Sequence, residues 1–263
     1  MLGSFWKERQ SLVLAILLCT PARSMQSGAA PVATPALPAK ETLSYAIQWR
    51  LIDAGKAKLS WEANPHSARP GWDVKLHLES TGLVSRLFKV DDNYSASLNQ
   101  ELCALNTQLK AQEGSRHRET QVTFDAGTRK ASYLERDTDT HSVVLAKETE
   151  IPACVHDVVG GLYHLRTLNV EPGQSVQVPV SDGKKSVSAR IEAQRRESVK
   201  TPTGTYPTIR YEIFLFNNVL YRRPAHLYVW LTDDRRRLPV QIQVKLTFTI
   251  GTITFLLEKE EKT

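Results

Sequence analysis

The chain lacks every short motif that would announce a familiar chemistry. HExxH, CxxC, GxSxG and the phosphate-binding glycine loop are all absent from its 263 residues, so the sequence assigns no catalytic residue, metal ligand or cofactor. Long apolar runs are missing too. The most continuous one, Leu12 to Cys19, would rise only about 12 Å as a helix, against roughly 30 Å of bilayer hydrocarbon, so no transmembrane span is expected. Cysteine is scarce at 3 residues, and charge of one sign is modest, with a formal net charge of +6. Hydrophobic residues make up 41% and charged residues 24%, which excludes a disordered chain and permits a sizeable core.

What is present begins with a leader. Lys7 and Arg9 precede the Leu12–Cys19 run, and Ala22-Arg23-Ser24 follows it, the order of a secretory signal over residues 1–24. The rival reading, lipidation of Cys19, needs a small residue before the cysteine, where Leu18 stands. Cleavage near Ser24 removes Lys7, Arg9, Arg23 and Glu8 and lowers the net charge to about +4, a weak attraction to anionic surfaces at most. The Ala/Pro-rich residues 25–40 read as a linker, and 41–263 as a single β-rich domain. Export, to a periplasmic or outer-envelope location, leaves no nucleic acid as a partner. It also makes Cys103 and Cys154 either a disulfide or two buried thiols.

Alternation dominates the rest. Leu43, Tyr45, Ile47, Trp49 and Leu51 mark a strand, with a turn expected at Asp53–Lys56 and a return through Ala57, Leu59, Trp61 and Ala63. The plainest β text is Leu227–Leu257, which reads as one long hairpin. Even positions from Val240 to Ile250 are apolar, but after Gly251 the odd positions Ile253, Phe255 and Leu257 take over. A β-bulge at Ile250–Gly251 would produce that switch. Two segments break the alternation. Gly82–Val90 groups Leu83, Val84, Leu87 and Phe88 on one face of a short helix, read as a connection packing on the core edge in preference to a lid. Val155–Leu168 is the longer helix, with Gly160 and Gly161 at its middle, expected where another backbone comes close. Together these predict a mostly β fold: a large curved antiparallel sheet or open β-barrel wrapped around one central helix.

HDVVGGLYHLR, VKTPTGTYPTIRYE and the Leu227–Leu257 stretch, in that order, resemble an uncharacterised family of exported bacterial β-rich envelope proteins known only as a domain of unknown function. The resemblance implies an envelope location and a β-rich fold, and it implies no activity.

Polar candidates have plain alternatives. His156 and His164, eight residues apart and both placed on the helix, would lie too far apart to chelate one ion. Asp233–Asp234 beside Arg235–Arg237 reads as a turn held by local contacts, and Arg195–Arg196 and Arg222–Arg223 as solvated strand ends in preference to lipid-headgroup ligands. A curved sheet around a helix leaves room for an apolar space, with Trp49, Leu162, Trp230, Val244, Leu246, Phe248 and Ile250 as its expected lining. The functional expectation is a non-enzymatic binder or carrier of a lipid or other apolar small molecule. The alternative is a structural or assembly factor that binds an envelope protein partner and has no cavity.

Overall fold

A computed structural model describes residues 37–50, 52–64, 70–247 and 251–262. The residues described ahead of Glu41 touch the rest of the chain. Leu37 packs on the core and the Pro38 carbonyl accepts a 2.9 Å hydrogen bond from Trp61 Nε1.

Eight strands follow one another as a meander: β1 (Lys40–Trp49), β2 (Ile52–Asn64), β3 (Gly71–Ser80), β4 (Asp91–Asn99), β5 (Ala104–Glu113), β6 (Arg116–Asp125), β7 (Lys130–Asp137) and β8 (Val143–Glu150). Helix α1 (Gly82–Leu87) links β3 to β4, and helix α2 (Val158–Thr167) follows β8. A second meander comprises β9 (Ser175–Ser181), β10 (Ser186–Thr201), β11 (Gly204–Ile213), β12 (Ala225–Thr232), β13 (Pro239–Leu246) and β14 (Thr252–Lys262). β1 and β14 pair antiparallel, from Glu41↔Lys262 to Trp49↔Ile253, and so join the meanders into one 14-stranded antiparallel sheet. β8 and β9 form its two edges and share no ladder, so the sheet is not closed.

The alternation found in the sequence is the burial pattern of these strands. Leu43, Tyr45 and Ile47 on β1, and Ala57, Leu59 and Trp61 on β2, are buried while their neighbours are more exposed. The first turn lies earlier than expected. Trp49 pairs with Ile52 across Arg50, whose φ is +59°, and Asp53–Lys56 belong to β2. Gly55 serves close packing there, because a Cβ on it would stand 2.2 Å from the Glu79 carbonyl oxygen of β3.

The expected bulge at Ile250–Gly251 is also corrected. β13 and β14 are separate strands, joined by a reversal in which the Leu246 N–H donates to the Gly251 carbonyl (3.1 Å). Ile250 itself lies outside the described residues. Ile242 pairs with Phe255 and Val244 with Ile253, so even positions of β13 share a face with odd positions of β14. That pairing accounts for the parity switch, and glycine suits its φ of +82° beside the turn. Bulges do occur elsewhere, with Glu258 of β14 as the extra residue opposite Ser44–Tyr45 and Ala54 of β2 opposite Ile47–Gln48.

Candidate ligand cavity

The site is built around α2 and the segment that delivers it. That segment, Ile151 to Asp157, is irregular and bends at Ala153–Cys154, so the helix starts three residues later than its apolar spacing suggested. Val155 accepts from the Ala104 N–H (2.8 Å). His156 donates its N–H to Pro179 (3.0 Å) and accepts from Ser181 (2.9 Å), a parallel bridge to β9. Cys103 and Cys154 form a disulfide, Cα atoms 5.1 Å apart, which ties this segment to the turn between β4 and β5.

Asp157 then caps the helix. Its Oδ2 accepts the N–H groups of Val159 and Gly160, both at 2.9 Å, and the Tyr94 hydroxyl at 2.6 Å. Burial, and secondarily the Asp157 carboxylate, hold the Tyr94 phenol well above its ordinary pKa. Gly160 is needed because a Cβ would meet Asp157 Oδ1 at 2.4 Å and the Leu98 methyls at 3.2 Å. These are side chains, not the backbone expected from the sequence, and Gly161 has only the His156 Cβ at 3.9 Å.

The other end of α2 is anchored by charge. The buried Arg166 guanidinium makes a bidentate pair with the buried Glu41 of β1, at 2.6 and 3.0 Å, and also donates to the Arg236 carbonyl at 3.2 Å. Tyr163 stacks on Trp61 at 4.1 Å between ring centroids, and Trp61 on Trp72 at 4.4 Å. Both aromatic faces of Trp61 are thereby covered, and the helix is pinned to β2.

Between these anchors, Val158, Val159, Gly161 and Leu162 face an apolar cavity of about 200 Å³. The sheet supplies Tyr45, Ala57, Leu59, Leu76 and Leu78 from β1–β3, and Val178, Val180, Ile191, Ile213, Leu227, Val229, Ile242 and Phe255 from β9–β14. Strands of both meanders thus contribute to one lining with α2. Tyr45 brings a hydroxyl to the lining, but it is satisfied by donating to the Pro239 carbonyl at 2.8 Å.

A second, more polar space of about 370 Å³ shares Leu76, Leu78, Val158 and Val159 with the first and adds Asp92, Tyr94, Arg116, Tyr133, Asp182, Lys184 and Tyr221. Its charges are engaged. Arg116 pairs with Glu113 (3.0 Å) and Glu135 (3.2 Å), and Lys184 lies over the Tyr133 ring at 5.2 Å. Burial raises the Asp92 pKa above the usual carboxylate range, and it pushes the Tyr133 phenol up to about 12, helped by its hydrogen bond to Glu135.

Of the residues expected at the site, Leu162 lines the cavity. Trp49 packs against the core near the end of β1, and Trp230 is buried on the opposite face of β12 from Leu227 and Val229, donating to Glu197 at 2.8 Å. Val244 and Leu246 share the Ile242 face of β13 but lie two and four residues further along, roughly 7 and 13 Å beyond the lining. Phe248 and Ile250 fall outside the described residues. Alternation marks strands through Val176–Val180, Val187–Ala193 and Ile209–Leu215, where β9–β11 lie, but their contribution to the lining was not expected. Alternation gives Val178 and Val180 one face of their strand and Ile191 one face of the next, but nothing local says which face meets a helix.

The polar candidates resolve into structure. The rings of His156 and His164 stack at 4.0 Å, closer than expected because His156 precedes the helix, and His156 Nδ1 lies 2.8 Å from the Leu102 carbonyl. Burial, and then the neighbouring His156, lower His164 to about 4; burial also lowers His156. Asp234 holds its turn by accepting from Thr232 Oγ1 and the Arg236 and Arg237 N–H groups, while Asp233 pairs with Arg196 at 2.7 Å. Among the described residues no group of three or more metal-binding side chains occurs, and no helix is long and apolar enough to cross a membrane.

A family described as "Protein of unknown function (DUF3108)" matches residues 44–258. No curated protein matches the chain. A β-barrel-like protein of domain of unknown function DUF1849 from Brucella abortus is similar in fold, with a TM-score of 0.52 and 7% identity over 86% of this chain and 98% of that one. A Bacteroides fragilis protein with a YmcC-like fold aligns at a TM-score of 0.35 and 9% identity, covering 87% of this chain and 98% of its own.

Proposed function

For this chain, which belongs to the DUF3108 family of proteins of unknown function, we propose that the sheet curls around α2 as an open barrel and binds one lipid-like molecule in the space left between them. The observation that carries this is the cavity of about 200 Å³ walled by α2 and nine strands, with Tyr45 as its one hydroxyl-bearing side chain and that hydroxyl already bonded. A lining of this kind offers water almost no hydrogen-bond partners, so an apolar chain displaces water here at little cost. Filling it removes ligand surface from water at roughly 25 cal/mol per Å². The adjoining polar space suits the head of an amphipathic ligand, with its tail beyond Leu76 and Leu78. No step of chemistry is assigned, and the role is carriage or sequestration. The leader-like residues 1–24 and the Cys103–Cys154 disulfide support export to an oxidising envelope compartment.

Native mass spectrometry of the purified protein should find bound lipid, and a fluorescent fatty acid should bind at micromolar concentration. Leu162→Trp should fill the cavity and abolish both signals while near-ultraviolet circular dichroism is retained. A wild-type protein that carries no lipid and ignores the fatty acid refutes the carrier reading. One observation favours a second reading, a factor that engages an envelope protein. The edge strand β8 exposes Val143, Val144 and Leu145, a surface open to strand addition. That reading takes first place if the lipid experiments fail.

A further inference from the structure

The end of the sheet that carries α1 is apolar and basic at once. α1 packs on β2, where the Thr81 N–H donates to the Ala54 carbonyl at 2.9 Å, and Val84 turns inward against the core. The other apolar side chains assigned by spacing to the same packing face turn outward instead: Leu83, Leu87 and Phe88 are 60, 74 and 53% exposed. Ile52, at the start of β2, is 49% exposed. Single exposed apolar residues are ordinary on a protein surface, but a group on adjoining elements marks an interaction surface.

Charge narrows the choice of partner. Gly82–Lys89 contains no acidic residue and exposes Arg86 and Lys89 beside the apolar group. The connections at this end follow the sheet order, so they are neighbours: the Arg50 N–H donates to the Thr252 carbonyl at 2.8 Å, and the Thr247 N–H to the Pro224 carbonyl at 3.3 Å. Exposed Arg50, Arg222 and Arg223 therefore stand on the same rim as α1. Acidic side chains also flank α1, Asp53 on β2, Glu79 on β3, Asp91 and Asp92 at the start of β4 and Glu113 at the end of β5; Asp91 lies 3.0 Å from His77, Asp92 accepts the Gln112 N–H and Glu113 pairs with Arg116 at 3.0 Å.

We propose that this rim docks on an anionic lipid bilayer, with Leu83, Leu87 and Phe88 entering the boundary between acyl chains and headgroups and the basic side chains meeting the headgroup charge. A second copy of the chain is a poorer occupant, because a twofold contact would set two basic rims against each other. The docking surface stands without the lipid cavity. It also complements it, since β3 contributes Leu76 and Leu78 to the cavity wall and then runs directly into α1.

The test is cosedimentation with vesicles of phosphatidylglycerol mixed into phosphatidylcholine, against phosphatidylcholine alone. Wild type should bind the anionic vesicles, lose binding at high salt, and bind the zwitterionic ones weakly. The triple variant Leu83→Ser, Leu87→Ser, Phe88→Ser should lower the anionic-vesicle affinity roughly tenfold or more. Its near-ultraviolet spectrum and fatty-acid binding should stay unchanged, which separates a lost surface from a lost fold. Leu162→Trp should keep vesicle binding, so failure of the cavity reading leaves this one standing. Equal affinity for both vesicle types, or a triple variant that binds as tightly as wild type, overturns the proposal. So does a wild-type dimer that the triple variant dissociates without any vesicle binding, which assigns the rim to a second copy.

Discussion

Gly160 and Gly161 are adjacent in one helix and have opposite requirements. Glycine costs about 1 kcal/mol relative to alanine in a helix interior, so each should be a site for easy stabilisation. At Gly161 the added methyl meets only the His156 Cβ at 3.9 Å, and Gly161→Ala should stabilise by roughly 0.5–1 kcal/mol. At Gly160 the methyl lands 2.4 Å from Asp157 Oδ1, the carboxylate whose other oxygen accepts two helix N–H groups and the Tyr94 hydroxyl. Displacing that carboxylate sacrifices a cap worth about 1 kcal/mol as well as the packing of Leu98, which outweighs the gain in propensity. Gly160→Ala should therefore destabilise by more than ~1 kcal/mol. Urea unfolding of the two variants reads the difference, and a common sign for both would show that the cap does not control this turn.

At the scale of elements, α2 and the segment before it form a pH-sensitive joint. His156, which precedes the helix, stacks on His164 of its last turn, and burial disfavours charge on both. Their folded pKa values lie below the unfolded value near 6.5, so the unfolded chain binds more protons in the window between about 6.5 and about 4. Stability from this pair is complete above that window and is lost as pH falls through it. After allowance for the partial exposure of His164, the loss is on the order of 1 kcal/mol. His164→Phe keeps a flat ring against His156 without a titrating nitrogen, and its unfolding midpoint should fall less than that of wild type between pH 6.5 and 5. Parallel pH curves would exclude the histidine pair as the source. This joint was hidden from the sequence because eight residues of assumed helix separated the two rings. In the structure His156 lies before the helix, held by the Val180 bridge and the Leu102 carbonyl, and the two rings meet. Strands were easier to read, since alternation in Leu43–Trp49 or Ala57–Trp61 records one buried face directly. Turns were harder. Gly55 and Gly251 both resemble turn or bulge signals, yet one admits a neighbouring carbonyl and the other sits at a strand reversal.

For the whole molecule, the decisive pairing is the one with the greatest separation along the chain. β1 and β14 lie at opposite ends of the domain, and their ladder alone joins the β1–β8 meander to the β9–β14 meander within the sheet. No local pattern could name that partner, because alternation states which face is buried and nothing about which strand lies alongside. The pairing also places Phe255 beside Ile47 on the cavity side of the sheet, and it buries Leu257 completely. Without β14, the Glu41–Arg166 pair would still tie β1 to α2, but the inner edges of β1 and β13 would both be left unpaired. Deletion of residues 252–263 should therefore abolish cooperative thermal unfolding, not merely lower its midpoint. A synthetic peptide spanning those residues should restore a transition by adding the missing strand between β1 and β13. Calorimetry that finds a single cooperative transition in the truncated chain would show that α2 and the Cys103–Cys154 disulfide hold the two meanders together without the ladder.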